Sequence, residues 1–86
     1  MLYEGRTSKK SIYIELPAEP HWLIVFYESN SGHRYLDFYE FQRNPEGIFV
    51  CRKVFYISDM EFFVDKIARL PVPEDLKIEF IAWLSG

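Results

Sequence analysis

The chain has 86 residues, 49% of them hydrophobic and 27% charged, which fits one small globular domain and excludes a disordered chain. The formal net charge of −3 argues against strong long-range steering toward polyanions. One cysteine and two histidines exclude an intramolecular disulfide and leave too few ligands for a zinc site, so a reducing, cytoplasmic setting is expected.

Residues 1–10 carry Gly5, Thr7, Ser8 and the cations Arg6, Lys9 and Lys10 without periodicity, and read as a flexible arm ahead of a single domain over 11–86. Met1-Leu2-Tyr3-Glu4-Gly5 has no signal-peptide character, and no apolar run approaches the ~20 residues of a membrane span. Ser11 to Leu16 alternates, with Ile12, Ile14 and Leu16 on one face, as in a half-buried strand that Pro17 and Pro20 end. Trp22 to Glu28 is almost wholly apolar and reads as a central strand. His33 to Gln42 is the third strand, with Leu36 and Phe38 on one face and Tyr35, Asp37, Tyr39 and Phe41 on the other.

Asn44-Pro45-Glu46-Gly47 has the composition of a type I turn: Asn first, Pro fixing φ at the second position, Gly last. Ile48 to Ile57 is the fourth strand, on which Arg52 and Lys53 point to opposite faces. Ser58-Asp59-Met60-Glu61 then has the spacing of a capping box and predicts a helix over Asp59–Leu70, with Met60, Phe63, Val64, Ile67 and Leu70 on its apolar stripe. Phe62 falls almost opposite that stripe, beside Lys66 and Arg69, and marks these three as a homodimer contact. Pro71-Val72-Pro73 breaks the helix. Glu74-Asp75 open a short second one, with Leu76, Phe80, Trp83 and Leu84 on a stripe, although Leu76 to Phe80 also alternates as a strand does. The fold class is therefore α+β: a four-stranded antiparallel meander sheet followed by a helix packed on one face, plus a short second C-terminal helix.

No catalytic constellation emerges. His21 and His33 lie in no nucleophile motif, Asp37 and Glu40 sit on opposite faces of one strand, and the four glycines are scattered at turns and ends. The chain is thus expected to be no enzyme and to need no cofactor or metal. What does stand out is 19% aromatic residues, and the interleaving of Arg34, Arg43, Arg52 and Lys53 with Tyr35, Tyr39, Phe41 and Phe49 on two neighbouring strands. Single-stranded nucleic acid is bound by such a pairing, because phosphates meet the cations and bases stack on the rings. Seven basic and seven acidic residues balance over residues 1–57, whereas 58–86 carry three and six, so the acidic excess belongs to the helical half.

The stretch Leu36-Asp37-Phe38-Tyr39-Glu40-Phe41-Gln42-Arg43-Asn44-Pro45-Glu46-Gly47, followed by Arg52-Lys53 and a Ser-capped segment, resembles the C-terminal domain of the transcriptional coactivator family called positive cofactor four. The likeness runs from about Trp22 to Leu70. It implies a Whirly-like fold, dimerisation through the helix and a groove for single-stranded DNA, with Arg52 and Lys53 matching the family's phosphate-contacting pair. Gln42 stands where the family has a stacking Trp and Tyr39 where it has a strand Arg, leaving Arg43 and Tyr39 to exchange those roles.

The expectation is a non-enzymatic single-stranded-DNA-binding homodimer, in transcription, replication or repair, acting through Arg52, Lys53, Arg43, Tyr39 and Arg34 in the cytoplasm, nucleoid or nucleus. Its rival is a small protein-interaction module, such as a phage-type inhibitor, that uses the acidic helical layer and exposed rings on a protein partner.

Overall fold

The computed structural model describes residues 5–15 and 20–86. Four strands, β1 (Arg6–Ile14), β2 (His21–Ser29), β3 (Arg34–Arg43) and β4 (Phe49–Ser58), pair in chain order as an antiparallel sheet. Two helices follow, α1 (Phe63–Ala68) and α2 (Glu74–Leu84). The architecture is α+β, as the hydrophobic periodicity predicts, and the C-terminal segment is helical. Among the described residues no helix is long and apolar enough to cross a membrane.

One face of the sheet is dry. Ile24, Phe26, Leu36, Phe38 and Ile57 meet Ile67 and Leu70 of the α1 segment and Phe80 and Leu84 of α2 in one buried cluster. Phe80 sits against both Phe26 and Phe38, with ring centroids 5.8 and 5.9 Å away, and Phe55 stacks on Phe38 at 4.5 Å. Burial of these rings and branched chains is the main favourable term, at about 25 cal/mol per Å² of apolar surface. Arg34 and Trp83 clamp the far end of α2 to the sheet. The Trp83 indole donates to the Tyr35 carbonyl at 3.2 Å, and the Arg34 guanidinium lies over that ring and donates to the Trp83 carbonyl at 3.1 Å.

Two elements begin elsewhere than the sequence predicts. β1 starts at Arg6 rather than Ser11, so residues 6–10 belong to the sheet and are not an arm; residues 1–4 lie outside the described residues, as do Leu16 and Pro17. A bulge between Ser8 and Lys10 shifts the register and hides the period of two from the sequence. Lys10 thereby turns to the helix side, where it pairs with Glu79 and lies over the Phe26 ring.

The first helix starts at Phe63, not Asp59, because the Ser58–Glu61 signature is satisfied in a free-standing turn. The Ser58 hydroxyl accepts from Met60 N–H at 3.0 Å, and the Glu61 carboxylate accepts from Ser58 N–H at 3.2 Å. Phe62 occupies the N-cap position without a side-chain cap. Of the expected stripe, Ile67 and Leu70 are buried, whereas Met60 and Val64 are exposed.

The turn at Asn44–Gly47 closes as expected. Gly47 N–H donates to the Asn44 carbonyl at 2.9 Å, and the Asn44 side chain accepts from Glu46 and Ile48 N–H. Gly47 has φ +82° with no atom within 4 Å of where a Cβ would stand, so the cost of a side chain there is backbone strain alone. Gly47→Val is expected to destabilise the fold by roughly 1–2 kcal/mol. Chemical denaturation checks this, and an unchanged midpoint would contradict it.

Candidate nucleic-acid interface

Both helices pack on one side of the sheet, so among the described residues the opposite side is left without a covering element. The period of two puts Arg6, Ser8, Ser11 and Tyr13 of β1 on that side, with His21, Leu23, Val25 and Tyr27 of β2. β3 adds Tyr35, Asp37, Tyr39, Phe41 and Arg43, and β4 adds Phe49, Cys51, Lys53 and Tyr56. A bulge at Val54, where Phe38 pairs with Phe55 and Tyr39 with Lys53, aligns Lys53 with the ring-bearing positions of β3.

The open face is built on a carboxylate. Asp37 is fully buried, and the Arg6 guanidinium donates to both its oxygens at 3.1 and 2.9 Å, while the Lys53 ammonium stands 3.5 Å from Oδ2. Such fork-on-fork pairs are the strong class of hydrogen bond. Arg6 is further held between two rings, its guanidinium 4.6 Å from the Tyr27 centroid and 5.0 Å from that of Tyr35. The hydrogen bonds to Asp37 push the Arg6 guanidinium further above its ordinary value. Tyr35 was among the rings the sequence marked, but Arg6, Tyr27 and Tyr56 were not singled out as contacts, and the four together make the centre of this face.

Of the residues read as nucleic-acid contacts, three share the open face. Lys53 stands beside Asp37 and 5.8 Å from the Tyr56 ring. Arg43 lies over the Phe49 ring at 4.5 Å and donates to the Gly47 carbonyl. Tyr39 is half-buried on the same side. Arg52 and Arg34 point to the other side. Arg52 is exposed there but paired with Glu40 at 2.9 Å, and Arg34 is spent on Glu28 and Trp83 in holding α2. The five therefore do not converge on one groove, although Arg52 and Lys53 do point oppositely as the alternation predicts. Phe62, read as a dimer contact, is 85% exposed, whereas Lys66 pairs with Glu61 at 2.9 Å and Arg69 forms the C-cap of α1.

Charge is sorted between the two sides. Among the strand residues facing the open side, Asp37 is the one acid, against Arg6, Arg43 and Lys53; Glu28 and Glu40 point the other way. Where β1 begins and β4 ends, a cavity of about 410 Å³ opens on this face, lined by Arg6, Tyr35, Lys53, Tyr56, Ser58, Met60 and Glu61. Among the described residues no three His, Cys, Asp or Glu side chains converge to hold a metal ion.

Burial, with a hydrogen bond shared with Tyr27, pushes the Tyr39 phenol up to about 12 from its ordinary 10.0. The fold favours the neutral phenol. Tyr39 thus contributes stability that is complete below pH 10 and is lost as pH rises toward 12. An ultraviolet phenolate titration is expected to show a last step near pH 12 that Tyr39→Phe removes. Retention of that step in the variant would contradict the assignment. Comparison of the chain with protein-family models, curated proteins and solved structures finds no match, and the site is read from its own geometry.

Proposed function

We propose that this chain is a non-enzymatic binding domain for single-stranded nucleic acid, working through the uncovered face of its sheet. The observation that carries the reading is the sorting of side chains. A chain of net charge −3 sets three strand cations and the rings of Tyr13, Tyr27, Tyr35, Tyr39, Phe41, Phe49 and Tyr56 on the side with one buried acid. Stacked bases gain roughly 1–3 kcal/mol each on such rings, and phosphates meet the cations between them. The likeness to positive cofactor four points the same way, but the working set differs from the one it implies. Arg6, Arg43 and Lys53 carry phosphates, Tyr39 and its neighbours carry bases, and Arg52 is peripheral. The reading sets the protein in a reducing compartment, where the exposed thiol of Cys51 stays free.

A fluorescence titration with a labelled single-stranded 20-mer tests this. Three cations give a log–log salt slope no steeper than about −2, at roughly −0.7 per contacted phosphate. Arg43→Glu with Lys53→Glu is expected to abolish binding, whereas Arg52→Glu leaves most of it. The opposite ranking would place the strand on the wrong side of the sheet, and no binding at low salt would end the reading.

A second reading has its own observation. β4 is an edge strand whose Phe49, Val50, Val54, Phe55 and Tyr56 are exposed, and Met60, Phe62 and Val64 continue the apolar surface beyond it. An open ladder flanked by apolar side chains accepts a strand from a protein partner. A second copy of this chain is the first such partner to consider, and a stable pair buries about 800 Å² on each side. Absence of nucleic-acid binding in the titration leaves this reading in possession.

A further inference from the structure

The open face does not run on evenly at both ends. At the Asn44–Gly47 end the strands simply turn, but at the other end the Ser58–Glu61 turn rises beside β4 and closes one side of the 410 Å³ cavity with Met60 and Glu61. Resting on the single-strand reading above, we propose that this cavity receives the phosphorylated terminal nucleotide of the strand, and that its chemistry is that of a nucleoside monophosphate site.

The lining supplies both parts of such a ligand. Arg6 and Lys53 meet on one wall, and Asp37 behind them cancels only one of their two charges. A terminal phosphate monoester bears close to −2 at pH 7 where an internal diester bears −1, so a site with paired cations favours the end over the middle of a strand. Tyr35 and Tyr56, with centroids 6.4 Å apart and planes inclined by 59°, offer a ring face to the base. The volume lies within the range of small-molecule sites and matches one nucleotide better than a run of them.

The far wall explains why the strand ends here. The Glu61 carboxyl is held below the usual carboxylate range by Lys66 and by the Ser58 N–H. A phosphodiester chain continuing past the cavity would meet the Glu61–Lys66 pair, whose charges cancel and which offers no surplus cation. A terminal phosphate stops short of it, on the side of Arg6 and Lys53.

The test compares four probes on the full chain by calorimetry and by amide chemical shifts: one 12-nucleotide single strand with a 5′-phosphate, with a 3′-phosphate and with neither, and deoxyadenosine monophosphate alone. One phosphorylated end is expected to bind roughly tenfold more tightly than the bare strand, the scale of one charge-assisted contact. Met60→Glu sets a carboxylate on the cavity wall at an exposed position and is expected to lower affinity for the phosphorylated strand more than for the bare one, so that the preference is lost. Equal affinity for all three strands would overturn the terminal-nucleotide proposal and leave the single-strand reading standing. If no strand binds but the mononucleotide shifts the amide resonances of Arg6, Lys53 and Tyr56, the cavity chemistry holds for a free nucleotide and the strand reading fails. Silence from all four probes would overturn both.

Discussion

A carboxylate with no exposed surface, Asp37, sits in the middle of β3, one of the two strands that pair on both sides, and the open face follows from the need to compensate it. A buried charge without partners costs several kcal/mol, so cations must come to it. Lys53 comes from the neighbouring strand β4, opposite Tyr39, but Arg6 reaches across β2 from the first residue of β1. The bidentate pair fixes where β1 begins. Arg6, so held, lies between Tyr27 and Tyr35 and sets the spacing of rings over half the face.

The same arrangement gives the two sides of the sheet different chemistry. Stability comes from the helix side, where Phe26, Phe38 and Phe80 pack and where Glu28, Glu40 and Glu79 pair with Arg34, Arg52 and Lys10. On the proposed reading, ligand chemistry is left to the other side, with its rings and its surplus of cations. An overall charge of −3 thus coexists with a locally basic surface, because the acids are sorted by strand parity rather than by segment. Weak, salt-sensitive binding through few phosphates is the corresponding physical regime.

The parts of the fold legible in the sequence are those set by local rules. The apolar run of Trp22–Glu28 and the alternation of His33–Gln42 give the two central strands to within a residue, and Asn44-Pro45-Glu46-Gly47 gives the turn. What escapes is non-local or locally degenerate. Arg6 and Asp37 lie 31 positions apart, and the bulge after Ser8 removes the alternation that would have drawn Arg6 into a strand. The Ser58–Glu61 spacing is a helix-start signal, but the same hydrogen bonds close a turn one step ahead of the helix. Of the site, parity alone separates Arg52 from Lys53, whereas the role of Arg34 as the clamp on Trp83 depends on where α2 docks. One signal was present: an aspartate flanked by Leu36 and Phe38 at the centre of a strand requires a cation, and only a few cations lie at the right parity.

The central claim is that the Arg6–Asp37 pair holds the open face together. A double-mutant cycle of Arg6→Met and Asp37→Leu, followed by chemical denaturation, tests it most directly. Removing either partner alone is expected to cost about 3–5 kcal/mol, because it strands a charge, while removing both costs clearly less than the sum. A coupling of at least about 1.5 kcal/mol is the predicted result. Two single losses that simply add would mean that Arg6 and Asp37 act independently, and the account of this face would be contradicted.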